Sequence, residues 1–330
     1  MSKRRDRRLK AKKKAPVTEK LVVVEKKPSA PRSTAPPWLR WYDVHYKKLL
    51  IIPFLLVILA IAQIGFQYTT TGDFVNRGIT LKGGISITIL QSPAMDADGI
   101  TSLLLDKFPD NEVVVRNLDE RGVRKGILVE SDANTVEAKD KLVDEVKALF
   151  PEGLESEDIS VESTGSVLGE DFFKQITVAL IIAFIFMGIV VFIFFRNFVP
   201  SLAIILAILF DIIVTVAIVN LTGIKLSTAG VAAFLMLVGY SVDTNILLST
   251  KVLKRKGGTV FKRIIGAAKT GFMMTLTTLV ALTIALFATE SQVIAQIMTI
   301  LIIGLLVDLV NTWIQNAGIL RLYLAKKGEK

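Results

Sequence analysis

The 330-residue sequence has no cysteine and only one histidine, His45, which lies just before the first apolar segment. Without cysteine there is no disulfide framework and no thiolate metal site. The sequence also lacks the Walker A pattern for nucleotide binding, the His-Glu-x-x-His pattern of zinc proteases and the Gly-x-Ser-x-Gly pattern of serine hydrolases. We therefore expect no enzymatic activity, no metal site and no bound cofactor.

Long apolar runs dominate the chain instead. Hydrophobic residues make up 52% of the sequence, and they are concentrated in blocks of about 20 residues, the length that a bilayer-spanning helix requires. The sequence therefore predicts a polytopic α-helical membrane protein with six transmembrane helices. The predicted spans are residues 49–66, 176–195, 201–221, 229–248, 272–288 and 293–316.

A soluble domain is predicted between the first two spans, over residues 68–173. Residues 69–173 carry ten basic and twenty-one acidic side chains. Alternating apolar residues, such as Ile85, Ile87 and Ile89, indicate strands. Strands are predicted at 84–91, 112–117, 124–130 and 158–163, helices at 94–107 and 134–149, and a hairpin turn at 119–122. This βαββαβ order is that of a ferredoxin-like α+β domain.

Basic residues are segregated along the chain, whose net charge is +10. Residues 1–48 contain sixteen basic and four acidic side chains and are predicted to form a disordered arm. Its proposed partner is anionic lipid, with ribosomal RNA or another acidic partner as the alternative. We expect no specific nucleic-acid partner.

Membrane orientation follows from the other basic segments. The predicted loop 249–270 has seven basic and no acidic residues, and the tail 321–330 is also basic. The positive-inside rule then places both termini in the cytoplasm of a multi-pass cell-membrane protein and the soluble domain outside the cytoplasm.

As segments of the chain, the first transmembrane helix is assigned to residues 49–67, and the other five transmembrane helices are assigned to residues 174–320.

Three aspartates, Asp211, Asp243 and Asp308, lie within the predicted membrane helices. An ionised carboxylate at membrane depth costs at least about 2.5 kcal/mol, so such residues face protein or water and usually have a function. Asp243 lies in the polar stretch 238–249 of the fourth span, and we take it as the central candidate.

Other polar residues accompany the aspartates. Asp308 begins a stripe on one face of the sixth span, at positions i, i+3, i+4 and i+7. The stripe continues through Asn311, Thr312 and Gln315, and Thr275, Thr277 and Thr278 add hydroxyls on the fifth span. Small residues on the fourth span, Gly230, Ala232, Ala233 and Gly239, allow close approach of a neighbouring helix. This constellation favours a proton relay, with hydrogen-bonded contacts between helices as the alternative.

Four short motifs lie at the borders of the predicted elements and within the spans: Leu-Lys-Gly-Gly at 81–84, Gly-Ser-Val-Leu-Gly at 165–169, Val-Gly-Tyr-Ser-Val-Asp-Thr-Asn-Ile-Leu-Leu at 238–248 and Thr-Leu-Thr-Thr-Leu at 275–279. They resemble motifs of the SecD/SecF protein-export family within the resistance-nodulation-division superfamily. One outer domain followed by five spans also resembles the family's layout, over about residues 49–320. The short length favours the SecF branch, and the fourth-span motif resembles its archaeal form.

The resemblance implies an auxiliary subunit of the Sec protein translocase. Its implied partners are SecD, the SecY translocon, exported preprotein and membrane lipids, and its implied energy source is the proton motive force. Two alternatives from other classes stay open: a half-size transporter of a small molecule or lipid, and a non-catalytic scaffold of the translocon.

The resemblance also implies roles for individual residues. Asp243 matches the fourth-span acid that is linked to proton movement, and Asn245 lies in the same motif. Asp211 matches an acid on the third span. Bacterial relatives have an arginine where this chain has Thr270, so either the adjacent Lys269 supplies the cation or the relay differs. Asp308 and Asn311 resemble the archaeal pattern and complete the predicted relay set.

Overall fold

A computed structural model of the chain describes residues 37–90, 96–109, 111–120, 123–150, 158–255, 257–289 and 291–328. The described part is mostly helical, and six helices are long and apolar enough to cross a membrane, as predicted. These six spans are Trp41–Thr71, Val167–Phe195, Phe198–Leu221, Thr228–Leu253, Val260–Ala288 and Val293–Lys326.

The secondary structure elements follow in chain order. They are α1 (Pro37–Leu49), α2 (Ile51–Thr71), α3 (Ile79–Lys82), β1 (Gly84–Ile89), α4 (Ala97–Lys107), β2 (Val113–Glu120), β3 (Val123–Ser131), α5 (Val136–Ala148), β4 (Ile159–Thr164), α6 (Ser166–Phe195), α7 (Phe198–Leu221), α8 (Thr228–Leu253), α9 (Val260–Ala288), α10 (Gln292–Val310), a π-helical segment (Asn311–Asn316) and α11 (Ala317–Lys326).

The prediction of a disordered arm over residues 1–48 is wrong for the last part of that range. Residues 1–36 lie outside the described residues, but the chain is helical from Pro37 onward. Proline suits the first position of a helix, because its fixed φ matches the helix and its missing N–H would have no partner there. The prolines of the arm therefore do not exclude a helix that starts at one of them.

The four strands form one antiparallel sheet in the order β2-β3-β1-β4. Ile87 of β1 lies opposite Val129 of β3 and Val161 of β4. The predicted alternation is confirmed, because Ile85, Ile87 and Ile89 are all buried in the core that α4 and α5 complete. The predicted hairpin turn at 119–122 falls partly outside the described residues, since β2 reaches Glu120 and residues 121–122 are not described.

The prediction of a loop over residues 249–270 is wrong for most of that range, because only residues 254–259 separate α8 from α9. Thr259 caps α9 by accepting a hydrogen bond from the backbone N–H of Lys262 at 3.3 Å. Ile264 is buried against Val252 in the same apolar cluster. The first turns of α9 therefore bury apolar residues on one face and carry basic residues on the opposite face. When only charge is considered, such a helix resembles a loop.

The sixth span is longer than predicted and changes its helical form. It passes from α10 into the π-helical segment and then into α11. The helix therefore continues past residue 316, where the span was predicted to end, and includes residues 321–326 of the predicted tail 321–330. π-helical turns are rare and occur frequently at functional sites. The irregular segment carries three residues of the predicted polar stripe: Asn311, Thr312 and Gln315.

The soluble domain is joined to the helical bundle at the α7–α8 connection. The backbone N–H of Leu226 donates to Asn76 O at 2.6 Å, and the N–H of Gly78 donates to Leu226 O at 2.8 Å. These bonds form a short parallel bridge between the segment before α3 and the segment before α8. The connection therefore ties the base of the soluble domain to the bundle directly.

Candidate functional site: a buried carboxyl pair

Asp211 on α7 and Asp308 on α10 lie together in the interior of the bundle. Both side chains have no exposed surface, and their carboxyl groups are close enough to interact electrostatically. A buried charge must be paired or hydrogen-bonded, so the neighbours of each carboxyl determine what the pair can do.

Asp211 accepts hydrogen bonds from two other helices. The hydroxyl of Ser241 on α8 donates to Asp211 Oδ2 at 2.5 Å. The amide nitrogen of Asn311, the first residue of the π-helical segment, donates to Asp211 Oδ1 at 2.7 Å. The two bonds therefore connect α7, α8 and the sixth span through a single side chain.

Asp308 accepts hydrogen bonds from two hydroxyls. Thr244 on α8 donates to Asp308 Oδ2 at 3.0 Å, and Thr312, one turn further along the sixth span, donates to Asp308 Oδ1 at 2.8 Å. All the donors to the two carboxyls are neutral. Within the described residues, no lysine or arginine hydrogen-bonds to either aspartate, so the pair has no fixed counter-ion there.

Asn245 extends this network along α8. Its amide nitrogen donates to Ser241 O at 2.8 Å and to Ser241 Oγ at 3.3 Å. Its amide oxygen accepts from Asn316 Nδ2 at 2.6 Å. Four of the predicted relay residues, Asp211, Asp308, Asn311 and Asn245, therefore belong to one connected polar cluster.

The face of α8 that meets this cluster is set by its sequence. Ser241, Asn245 and Ser249 are spaced four residues apart and all are fully buried. A residue two positions after Ser241 points to the opposite side of the helix. Asp243 is therefore exposed, and within the described residues it has no hydrogen bond or ion pair.

Asp243 belongs to an exposed stripe on α8 instead. The stripe, which we call the α8 outer face, consists of Met236, Gly239, Tyr240 and Asp243. The structure thus places the residue that sequence analysis took as central away from Asp211 and Asp308. The predicted small-residue surface divides in the same way: Gly230 and Ala233 are buried, whereas Ala232 and Gly239 are exposed.

The two residues at the predicted cation position belong neither to the buried cluster nor to the α8 outer face. Lys269 and Thr270 on α9 are both exposed. The ammonium of Lys251, near the end of α8, donates to Thr270 Oγ1 at 2.7 Å and to Gly266 O at 3.2 Å. The cation that contacts Thr270 is therefore Lys251, which sequence analysis did not select.

The three threonines predicted on α9 do not join the cluster. Thr275, Thr277 and Thr278 each donate to carbonyl oxygens of their own helix, including Gly271 O at 3.1 Å from Thr275. Ser241, Thr244 and Asn316 were missed by sequence analysis although they contact the site. The four-residue spacing of Ser241, Asn245 and Ser249 was the signal that could have identified this face.

Two neighbouring carboxyls without a fixed counter-ion can hold a single positive charge between them. Among the described residues there is no group of three or more histidine, cysteine, aspartate or glutamate side chains that could hold a metal ion.

Comparison with known proteins decides the family. Residues 145–326, more than half of the chain, match the family model described as protein export membrane protein SecD/SecF, C-terminal. The chain belongs to the SecD/SecF family. The protein-export membrane protein SecF of Pyrococcus furiosus is 41% identical over 286 residues, which cover 86% of this chain and 93% of the relative. SecF of Methanocaldococcus jannaschii is 38% identical over 295 residues, covering 85% and 96%.

A solved structure shows a similar fold. The crystal structure of SecDF, a translocon-associated membrane protein from Thermus thermophilus, matches with a TM-score of 0.68 at 20% identity. The match covers 90% of this chain but only 39% of the SecDF chain. The match thus covers nearly the whole length of these SecF relatives but only about two fifths of SecDF.

Proposed function

We propose that this chain is an auxiliary, non-enzymatic subunit of the Sec protein translocase. In this proposal it acts with SecD and uses the proton motive force to assist protein export across the cell membrane. The single observation that carries the proposal is a hydrogen-bonded carboxyl pair, Asp211 and Asp308, buried in a protein-export family's helical bundle. Intramembrane carboxyls of this kind mark ion and proton pathways in membrane proteins.

The domain organisation is part of the proposal. The order βαββαβ and the sheet order β2-β3-β1-β4 support a ferredoxin-like class for the domain at 68–173. Basic residues cluster near the α8–α9 junction and at the end of the last helix, as the positive-inside rule requires of a cytoplasmic side. We therefore assign both termini to the cytoplasm and the soluble domain to the outside.

The α8 outer face supports SecD as the partner. A carboxyl at this depth is costly in lipid, so Asp243 requires a protein or water-filled surface against it. Further along α8, Lys254 Nζ lies 3.9 Å from the centre of the Phe194 ring of α6, and Lys251 contacts Thr270 of α9. Small-residue surfaces such as Gly239 allow another helix to approach closely. SecY, preprotein and membrane lipids are further proposed partners.

The proposed relay has an inner and an outer part. Asp211 and Asp308 form the inner part, with Asn311 and Asn245 as hydrogen-bonding neighbours. Asp243 forms the outer part at the SecD interface. Lys251, in contact with Thr270, supplies the positive charge. Sequence analysis offered Lys269 for this charge as one of two alternatives.

Export measured in membranes that contain equal amounts of this protein tests the proposal. Asp211→Asn and Asp243→Asn keep the side-chain size but cannot carry a proton, so export should remain defective even under a full proton gradient. Asp243→Glu should retain partial function because it keeps a carboxyl group. Asp140→Asn, an exposed change in the soluble domain, is the control and should export normally.

If both asparagine variants respond to the gradient as fully as the wild-type protein, the aspartates only join helices and the scaffold alternative is favoured. If the purified protein associates with copies of itself and not with SecD, the transporter alternative is favoured.

A further inference from the structure

A groove runs along the outer surface of the bundle between α6 and α7. Ile185, Gly188, Ile189 and Phe192 of α6 and Ile205 of α7 border it, and its volume is about 370 Å³. Every residue that lines the groove is apolar, and Ile185, Ile189 and Phe192 are exposed. Gly188 leaves the gap open, because a Cβ there would already lie 3.4 Å from Ile205 Cδ1. The groove therefore suits a hydrocarbon chain better than a polar ligand.

Two basic side chains lie at the end of this groove. The backbone N–H of Arg196 donates to Phe192 O at 2.9 Å, so Arg196 directly follows the last turn of α6 that lines the groove. Lys254 Nζ lies 3.9 Å from the centre of the Phe194 ring on the same turn. Both basic residues are exposed, and neither forms an ion pair with a carboxylate in the described part of the chain. An anion at this end of α6 would therefore meet two cations that no acidic side chain neutralises.

Arg196 also occupies a backbone position that favours glycine. Its φ is 53°, and it is the one residue other than glycine with a positive φ among the residues that the structure describes. The position is the C-terminal cap of α6, where glycine is common because any side chain is strained in the left-handed conformation. Residues held in such conformations cluster at ligand-binding and other functional sites. An arginine here indicates that its guanidinium has a use that outweighs the strain.

We propose that this groove binds one anionic membrane lipid, with a hydrocarbon chain between α6 and α7 and the headgroup phosphate at Arg196 and Lys254. The planar guanidinium of arginine matches the geometry of a phosphate group. The start of α7 adds positive potential at the same end, since the side chain of Asn197 does not cap the first N–H groups of that helix.

A lipid suits this site better than a protein partner or a soluble phosphate. Only 11% of the apolar window of α6 is buried inside the protein, so most of this helix borders lipid when it spans a membrane. A soluble phosphate would leave the apolar groove unused. The proposed topology assigns this end of α6 to the cytoplasmic leaflet, which carries anionic lipids. The inference thus rests on the membrane placement in the proposed function and adds a defined site to its lipid partnership.

Fluorescence quenching by brominated lipids tests the inference at the groove itself. Because the chain has no cysteine, Val190→Cys can carry a single bimane label; Val190 is exposed on α6 beside the groove but outside its lining. The labelled full-length protein is reconstituted in phosphatidylcholine vesicles that contain either brominated phosphatidylglycerol or brominated phosphatidylcholine. We expect phosphatidylglycerol to be preferred at least about fivefold, the preference that one basic side chain near the surface supplies. A label at Ile284→Cys, exposed near the other end of α9, should show no preference.

Arg196→Gly separates lipid binding from folding. Glycine suits the left-handed cap, so the melting temperature should be unchanged or higher, whereas the preference for phosphatidylglycerol should fall about fivefold. Lys254→Gln should reduce the preference by a similar factor. Lys326→Gln is the control, because it removes an exposed positive charge from α11, which packs against α8 and α9, and it should keep the wild-type preference.

Equal quenching by the two brominated lipids at Val190→Cys in the otherwise wild-type protein overturns the inference. So does a preference that survives in both Arg196→Gly and Lys254→Gln. Quenching by neither lipid would show that protein covers the groove, which also overturns it. The assay involves no export, so its failure leaves the proposed export role intact, and an export failure leaves a measured lipid preference intact.

Discussion

Asn76 and Asn220 bind each other through both backbone and side chain at the junction between the soluble domain and the bundle. The backbone N–H of Asn76 donates to Asn220 Oδ1 at 3.1 Å, and Asn76 Nδ2 donates to Asn220 O at 3.3 Å. Asn220 Nδ2 also donates to Phe74 O at 2.9 Å. One side chain at the end of α7 thus orders the segment through which α2 leads into the soluble domain.

Asn220→Ala should loosen this junction. The change leaves the N–H of Asn76 and the carbonyl of Phe74 without partners, at a cost of about 1–3 kcal/mol. We expect faster hydrogen exchange at residues 73–78 by mass spectrometry, with unchanged exchange in β1. Asn134→Ala, at an exposed position, is the control. Unchanged exchange at 73–78 would contradict the assigned role of Asn220.

Two glycines in the bundle should respond differently to the same substitution. A Cβ at Gly239 on the α8 outer face has no atom within 4 Å, whereas a Cβ at Gly304 on α10 would lie 2.4 Å from Leu237. Gly239→Phe should leave the chain folded but prevent its co-purification with SecD. Gly304→Phe should lower the melting temperature and yield of the chain itself. Normal co-purification of the Gly239→Phe protein would exclude the α8 outer face as the SecD contact.

Glu112 should make part of the stability depend on pH. Partial burial raises its pKa, but attraction by Lys225 and then Lys82 outweighs burial and holds the pKa below its usual value. Its oxygens lie 3.4 Å from Lys225 Nζ and 3.6 Å from Lys82 Nζ. A carboxyl with a lowered pKa stabilises the folded state above its unfolded pKa, and this contribution is lost as pH falls through the folded value.

The expected result is a small decrease of the melting temperature in Glu112→Gln at neutral pH that disappears in acid, measured by thermal unfolding across pH. Glu137→Gln is the control, since Glu137 is exposed on α5. A difference between Glu112→Gln and the wild-type protein that stays constant with pH would show that the ion pairs contribute nothing.

Membrane orientation can be tested by cysteine labelling, because the chain has no cysteine of its own. Cysteines placed at Asp119 in the soluble domain and at Gly257 between α8 and α9 should react with an impermeant thiol reagent from opposite sides of the membrane. The physical reason is the concentration of basic residues around Gly257. Labelling of both positions from one side would refute the proposed topology.

Features that depend on neighbouring residues in the chain were predictable from the sequence. A run of about 20 apolar residues predicts a span because it is long enough to cross the bilayer core, and the span is helical because an unpaired backbone in lipid is too costly. Alternation placed Ile85, Ile87 and Ile89 on one buried face because successive side chains of a strand point to opposite sides. The helical spacing of Asp308, Asn311, Thr312 and Gln315 predicted a stripe that must avoid lipid, and all four residues are buried.

The start of α9 shows where such reasoning fails. Charge alone made 249–270 resemble a loop, because the burial of Ile264 and Ala267 against α8 and α11 depends on how these helices pack, which the charge pattern does not show. The π-helical segment had no sequence signal that we recognised, because nothing in its composition distinguishes it from an ordinary helix.

The sequence by itself determined that Asp211, Asp243 and Asp308 lie within membrane helices and that each needs a polar or protein environment. Only the tertiary structure decided that Asp211 and Asp308 meet, that Asp243 faces outward and that Lys251 contacts Thr270. Helical periodicity specifies which residues share a face, but not which neighbouring helix that face meets. That choice depends on the packing of all six spans together.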